Sequence, residues 1–107
     1  MKKNVLIIGA GGVGHVVAHK CAQNNARLGA IHIASRSLSK CHGIIDSIHE
    51  KGSLEGPGIL EAHALDASDI DATRALIRKT QAQIVINVGS AFINMAVLRA
   101  CIDTGAA

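Results

Sequence analysis

Four times along the chain, a short apolar run gives way to a longer segment whose apolar residues recur three and four positions apart. Residues 5–8 read Val-Leu-Ile-Ile, an unbroken run of the kind a strand shows when both its faces are buried in a parallel sheet. Residues 13–25 then switch to a helical pattern in which Val13, Val16, Val17, Cys21 and Ala22 can share one face. Residues 28–34 predict a second strand. Ser37 can cap a helix with Leu38, Cys41, Ile44, Ile45 and Ile48 on its buried side, and Gly52 suits its C-terminal stop. Residues 53–58, with the only proline at Pro57, read as loop. A weaker, more polar third strand is expected at 59–65. Ser68 can cap a helix carrying Ile70, Thr73, Leu76 and Ile77. Residues 82–88 form a fourth run, followed by a helix with Ile93, Val97, Leu98, Cys101 and Ile102 apolar and Gly105 at its close.

The order β-α-β-α-β-α-β-α with short connections allows few folds. It requires a parallel sheet with right-handed crossovers and helices on both faces, an α/β doubly wound sheet of the Rossmann type with strand order 3-2-1-4. Residues 1–107 read as one NAD(P)-binding domain. The sequence stops where another strand is due, so it reads as the front part of a longer enzyme whose substrate domain lies elsewhere. The fourth strand should then present an unpaired apolar edge. That edge, or the last helix, predicts self-association, most simply as a homodimer.

Composition narrows the function classes. Only one residue is aromatic, a Phe, so base stacking on aromatic platforms is excluded as a main activity. The net charge of +3 is mild and the Lys and Arg residues are scattered, so nucleic acid is not an expected partner. No run approaches the ~18 apolar residues of a membrane span, and the four apolar residues at 5–8 are too few for a signal-peptide core. Cys21, Cys41 and Cys101 are odd in number and far apart, which reads as three reduced thiols in a cytoplasmic protein.

The chemistry sits in "GAGGVGH", directly after the first strand. Gly9, Gly11 and Gly14 fit G-x-G-x-x-G, here with strand before and helix after inside a βαβ unit. Gly9 permits the tight turn, Gly11 lets a pyrophosphate come close to the backbone, and Gly14 lets the helix pack on the strand. Free N–H groups around Gly12 and Val13, together with the helix dipole, favour the anion. A carboxylate for the ribose 2′-hydroxyl is expected about 20 residues on. That place holds Ser35-Arg36-Ser37, with Ser35 21 residues after Gly14. Ser35 can donate to a 2′-phosphate, Arg36 can pair with it and lie along the adenine, and Ser37 and Lys40 can add donors. The cofactor is therefore read as NADP(H) rather than NAD(H).

Two further stretches end predicted strands. Asp66-Ala67 either contacts the adenine edge or belongs to a capping turn with Ser68 and Asp69. In Asn87-Val88-Gly89-Ser90, Gly89 permits close approach of the nicotinamide ribose, and Asn87 or Ser90 can hydrogen-bond to it; an ordinary turn is the alternative. His15 and His19 have the i, i+4 spacing of zinc helices but lack the Glu of H-E-x-x-H and a third ligand, so no metal site is expected. No catalytic acid–base set can be composed from spacing.

"VLIIGAGGVGHVVAHKCAQ", "IHIASRSLSKC" and "VINVGSAFINMAVLRACIDTGA" resemble the N-terminal Rossmann part of the saccharopine dehydrogenase family, over essentially the whole chain. The resemblance implies NADPH-dependent reductive condensation of aspartate β-semialdehyde with a diamine such as 1,3-diaminopropane or putrescine. The amine and aldehyde would be held by a second domain. It places Gly9, Gly11, Gly12, Val13 and Gly14 at the phosphates, and Ser35, Arg36 and Ser37 at the 2′-phosphate. Asp66 and Ala67 fall at adenine, and Val88, Gly89 and Ser90 near the nicotinamide ribose. Many members carry an acidic residue where this chain has Ser35, which reinforces NADP. A nucleotide-sensing module without chemistry is the alternative from another class, and an unrelated reductase of the short-chain or homoserine dehydrogenase kind is the alternative within it.

Overall fold

The computed structural model describes residues 3–25, 27–52, 59–89 and 94–107. The expected loop at 53–58, Ser90 and Ile93 lie outside them. Four strands and four helices alternate: β1 Lys3–Ile8, α1 Gly12–Gln23, β2 Leu28–Ser35, α2 Leu38–Lys51, β3 Leu60–Ala64, α3 Ile70–Thr80, β4 Ala82–Asn87 and α4 Asn94–Thr104. The strands form one parallel sheet in the order β3-β2-β1-β4, as the alternation requires.

Side chains on β1 alternate between two cores. Val5 and Ile7, with Ile31 and Ile33 of β2, pack against Ala18 and Ala22 of α1 and Cys41, Ile44, Ile45 and Ile48 of α2. Leu6 and Ile8, with Ala34, pack against Leu76 and Ile77 of α3 and Val97 and Ala100 of α4. Each Leu or Ile so buried stabilises the fold by about 1.5–3 kcal/mol before entropy is counted. Asn4 ties the start of the sheet together: its amide donates to the Thr80 carbonyl at 3.0 Å and its side-chain oxygen accepts from Ala30 N–H at 3.0 Å.

The helix termini follow capping rules with one change. Ser37 caps α2 by accepting from Lys40 N–H, and Gly52 ends it in the left-handed region at φ 63°. Asp69, not Ser68, caps α3, its carboxylate accepting from Ala72 N–H at 3.1 Å. Ser68 instead donates its hydroxyl to Asp66 at 2.6 Å. Both residues are competent caps, and the side chain one position nearer the helix is the one placed to reach its third N–H.

Two apolar faces differ from expectation. On α1 Gly14, Ala18 and Ala22 are buried and Val17 and Cys21 pack against the same core, whereas Val13 and Val16 are 64% and 57% exposed. On α4 Val97 and Ala100 are buried, while Leu98 and Ile102 point outward. The outer side of β4 also differs from a bare edge. Val85 N–H donates to the Ala107 carbonyl at 2.7 Å and Ala107 N–H donates to the Gln83 carbonyl at 2.8 Å. All three thiols are free, with Cys41 in the core and Cys21 and Cys101 half-buried, where burial pushes the latter two thiols up. Among the described residues no helix is long and apolar enough to cross a membrane.

Candidate functional site

The carboxyl ends of the parallel strands open onto one cleft of about 490 Å³. This is where a doubly wound sheet binds its ligands, because the order of strands reverses between β1 and β4. The strand ladder runs on into the turns that line it: Gly9 N–H donates to Ala34, Val88 N–H to Ile8 and Leu65 N–H to Ser35, at 2.8, 2.9 and 2.8 Å.

One wall is the turn between β1 and α1. Gly9 sits at φ 122°, a region closed to side chains, and an added Cβ would also lie 2.9 Å from Gly89 N and from the Val88 carbonyl carbon. At Gly14 a Cβ would run into the Gly9 carbonyl oxygen, so this glycine lets the helix start directly against the strand. Gly11 and Gly12 are different. Among the described residues, apart from the chain neighbours and the helix's own backbone, nothing lies within 4 Å of a Cβ built on either, so neither relieves crowding, and Gly11 leaves space in the cleft. Gly11 is the N-cap of α1 and supplies no side-chain hydrogen bond, and the first turn carries no acidic residue. The first N–H groups of the helix are thus left without a side-chain acceptor at its positive end. A pyrophosphate fits such a cradle.

The opposite wall is built from side chains after β2 and β3. Arg36, 74% exposed, donates from Nη2 to Asp66 at 3.0 Å. Asp66 also accepts from the Ser68 hydroxyl and, at 3.1 Å, from the Ser68 N–H. These two Ser68 bonds and the guanidinium hold the Asp66 carboxyl below the usual carboxylate range. Ser35 donates its hydroxyl to the Ser37 carbonyl and accepts from Ser37 N–H, both at 3.0 Å. Its polar capacity shapes the turn. Lys40 stands in the first turn of α2 and lines the cleft with Arg36, giving this corner two cations.

The sequence-predicted residues thus divide. Gly9, Gly11, Ser35, Arg36, Ser37, Ala67 and Gly89 line the cleft together. Gly12 and Val13 begin α1 just beyond Gly11, and Gly14 and Val88 stand behind the wall, where Val88 Cγ2 would be 3.4 Å from a Cβ on Gly14. Asp66 reaches the site through Arg36, in the capping turn with Ser68 that was one of its two readings. Asn87 accepts from Gly89 N–H at 3.0 Å, so it fixes the turn after β4. Ser90 lies outside the described residues. Leu65 and Ser68 line the cleft without having been singled out. A buried apolar residue ending β3 was the available signal for Leu65.

His15 and His19 stack with ring centroids 4.5 Å apart on α1, and His19 Nε2 lies 3.2 Å from the Ser47 hydroxyl of α2. The pair joins two helices and stands apart from the cleft lining.

Known proteins agree with this geometry. The chain is 52% identical over 98 residues to a carboxynorspermidine synthase from Vibrio alginolyticus, a match covering 91% of this chain and 24% of that protein. It is 37% identical over 101 residues to a carboxyaminopropylagmatine dehydrogenase from Synechocystis, covering 94% of this chain and 23% of that one. It therefore spans about a quarter of the length of the relatives it matches. Among solved structures, an actinorhodin polyketide ketoreductase crystallised with NADPH superposes with a TM-score of 0.72 at 13% identity, over 97% of this chain and 48% of that one, a likeness of fold. The family model for the saccharopine dehydrogenase NADP binding domain matches residues 5–107. The open glycine cradle, the two cations opposite it and this match agree: the chain belongs to the saccharopine dehydrogenase family, as an NADP(H)-binding domain.

Proposed function

We propose that this chain is the cofactor domain of an oxidoreductase in polyamine synthesis. The reaction is reductive condensation of aspartate β-semialdehyde with a diamine, and the support is the 52% identity to a carboxynorspermidine synthase. NADPH, once bound, supplies the hydride. The residues of this chain bind and orient it. Gly9, Gly11, Gly12, Val13 and Gly14 form the pyrophosphate cradle. Arg36, with Ser35, Ser37 and Lys40 around it, takes the 2′-phosphate. Asp66 and Ala67 border the adenine, and Val88, Gly89 and Ser90 border the nicotinamide ribose. Among the described residues the ionisable groups lining the cleft are Arg36 and Lys40, neither an acid–base set. We assign the amine and aldehyde sites to a substrate domain outside these residues.

The carrying observation for the cofactor is the open space over Gly11 facing Arg36. Calorimetric titration with NADPH tests it using Gly11→Val. A Cβ there meets nothing within 4 Å among the described residues but projects into the cradle, so the variant should stay folded and lose cofactor binding. Equal affinity for the variant and the parent would remove the assignment. For the reaction, NADPH absorbance is followed with both substrates present. The 107-residue chain should show no turnover, and substrate-dependent oxidation by it would place the catalytic groups here after all.

A further inference from the structure

The described residues contain another convergence of polar groups, away from the cofactor cleft. His32 lies on β2 on the same sheet face as Ala34, opposite Ile31 and Ile33. Parallel register sets Glu61 of β3 directly beside it and His63 beside Ala34. His32 is buried with its side chain 7% exposed, and that of His63 is 13% exposed. His32 Nδ1 and His63 Nε2 stand 2.9 Å apart. Glu61 Oε2 is 3.5 Å from that same Nδ1 and 3.8 Å from that same Nε2.

The choice of atoms is informative. A hydrogen-bond relay through two imidazoles uses opposite nitrogens of each ring, so that each proton has one direction to go. Here the nitrogens that face each other are also the ones that face the carboxylate. Three donor atoms converge on one point. An ion bound at about 2.0–2.1 Å by tetrahedral ligands separates those ligands by about 3.3 Å. The three separations found, 2.9, 3.5 and 3.8 Å, straddle that edge. Two imidazoles and one carboxylate are a donor set suited to zinc. The half-exposed Glu61 side leaves a fourth position open to water.

We propose that His32, Glu61 and His63 bind a divalent transition-metal ion, zinc in particular, which ties edge strand β3 to β2. Burial lowers each imidazole from its usual value, and the Glu61 carboxylate opposes the shift. Lys79 lowers His63 further. One of the two facing nitrogens carries a proton in the 2.9 Å hydrogen bond. On binding, that ring moves its proton to its other nitrogen through solvent, and no net charge leaves the pair. In the sequence, the only histidines at a metal-ligand spacing are His15 and His19 on one helix. His32, Glu61 and His63 come from two strands, and only the register brings them together.

The test is calorimetric titration of the chelator-stripped chain with zinc chloride. Cobalt(II) absorption serves as a second readout of coordination by nitrogen and oxygen ligands. One ion per chain is expected. His63→Gln and Glu61→Gln should each weaken binding by at least about tenfold, while the double variant His15→Gln/His19→Gln binds as the parent does. Circular dichroism confirms that each protein tested is folded. Should His63, 13% exposed, prove intolerant of change, the half-exposed Glu61 carries the test. Absence of stoichiometric binding by the folded, stripped chain would overturn the site and leave a hydrogen-bonded histidine pair. Binding that disappears with His15 and His19 would overturn it equally.

Discussion

The two walls of the cofactor cleft are made in opposite ways. The turn at residues 9–14 works by leaving side chains out, and its geometry is inseparable from the packing of α1 on β1. The corner at residues 35–40 works by putting side chains in, and Arg36, Asp66 and Ser68 form a polar network on the surface. On the function proposed here, phosphate recognition is embedded in the fold on one side and mounted on it on the other. Gly9 and Gly14 of the first wall cannot change without disturbing the packing on the sheet, whereas Gly11 faces open space. The second wall can be retuned residue by residue, which is where discrimination between NADP and NAD belongs.

Several substitutions would break or sharpen that contrast. The largest effect is expected within the glycine wall itself. Gly14→Val drives a side chain into the Gly9 carbonyl, so thermal unfolding should show a loss of about 3 kcal/mol or more. Gly11→Val, three residues away, should unfold like the parent. If both destabilise alike, the wall has no separate ligand-facing part. Next comes Arg36→Ala. A charge-assisted hydrogen bond contributes about 1.5–3 kcal/mol, so NADPH affinity should fall roughly 10- to 100-fold while NADH affinity changes little. Equal weakening of the two cofactors would make Arg36 an adenine platform only.

A smaller effect is expected at Asp66, which competes with the phosphate for the Arg36 guanidinium. Asp66→Asn should tighten NADPH by less than about fivefold, as for other exposed ion pairs, with the unfolding temperature unchanged. Weaker binding would instead assign the carboxylate to the adenine.

The smallest effect, in pH, lies outside the cleft and serves as its control. His32 and His63 stand below the ordinary histidine value of 6.5 in the fold. The unfolded chain therefore binds protons just under pH 6.5 that the folded chain refuses. Stability should be undiminished above that pH and decline as pH falls below it. His63→Gln, measured in chelator by thermal unfolding, should flatten the decline. An unchanged slope would assign it to other groups, His19 among them, which is shifted the same way.

Legibility in the sequence followed the same division. The strand order, the glycine turn and the Ser37 cap were readable because each depends on residues near one another in the chain. The inward face of α1 was not, since an apolar count favours Val13 and Val16 whereas contact distance favours Gly14, Ala18 and Ala22. Of the apolar residues of α4, Val97 meets the core beside Ala100 while Leu98 and Ile102 are exposed, a choice an apolar count alone does not make. The pairing of Arg36 with Asp66 and the meeting of His32 with Glu61 and His63 depend on cross-strand register, which periodicity along one strand cannot supply.

The small-residue stripe on α1 also acts at a distance. From Gly14 to Ala22 the helix advances about 12 Å, and over that length Gly14, Ala18 and Ala22 are its buried residues, with Ala18 and Ala22 packed into the sheet's core. A rod seated at two separated points cannot pivot. The direction in which its first N–H groups point is therefore fixed partly at Ala22, two turns from any phosphate. A methyl group added there would tilt the axis and misdirect the cradle without touching it. The aim of the binding site is set from the far end of its helix.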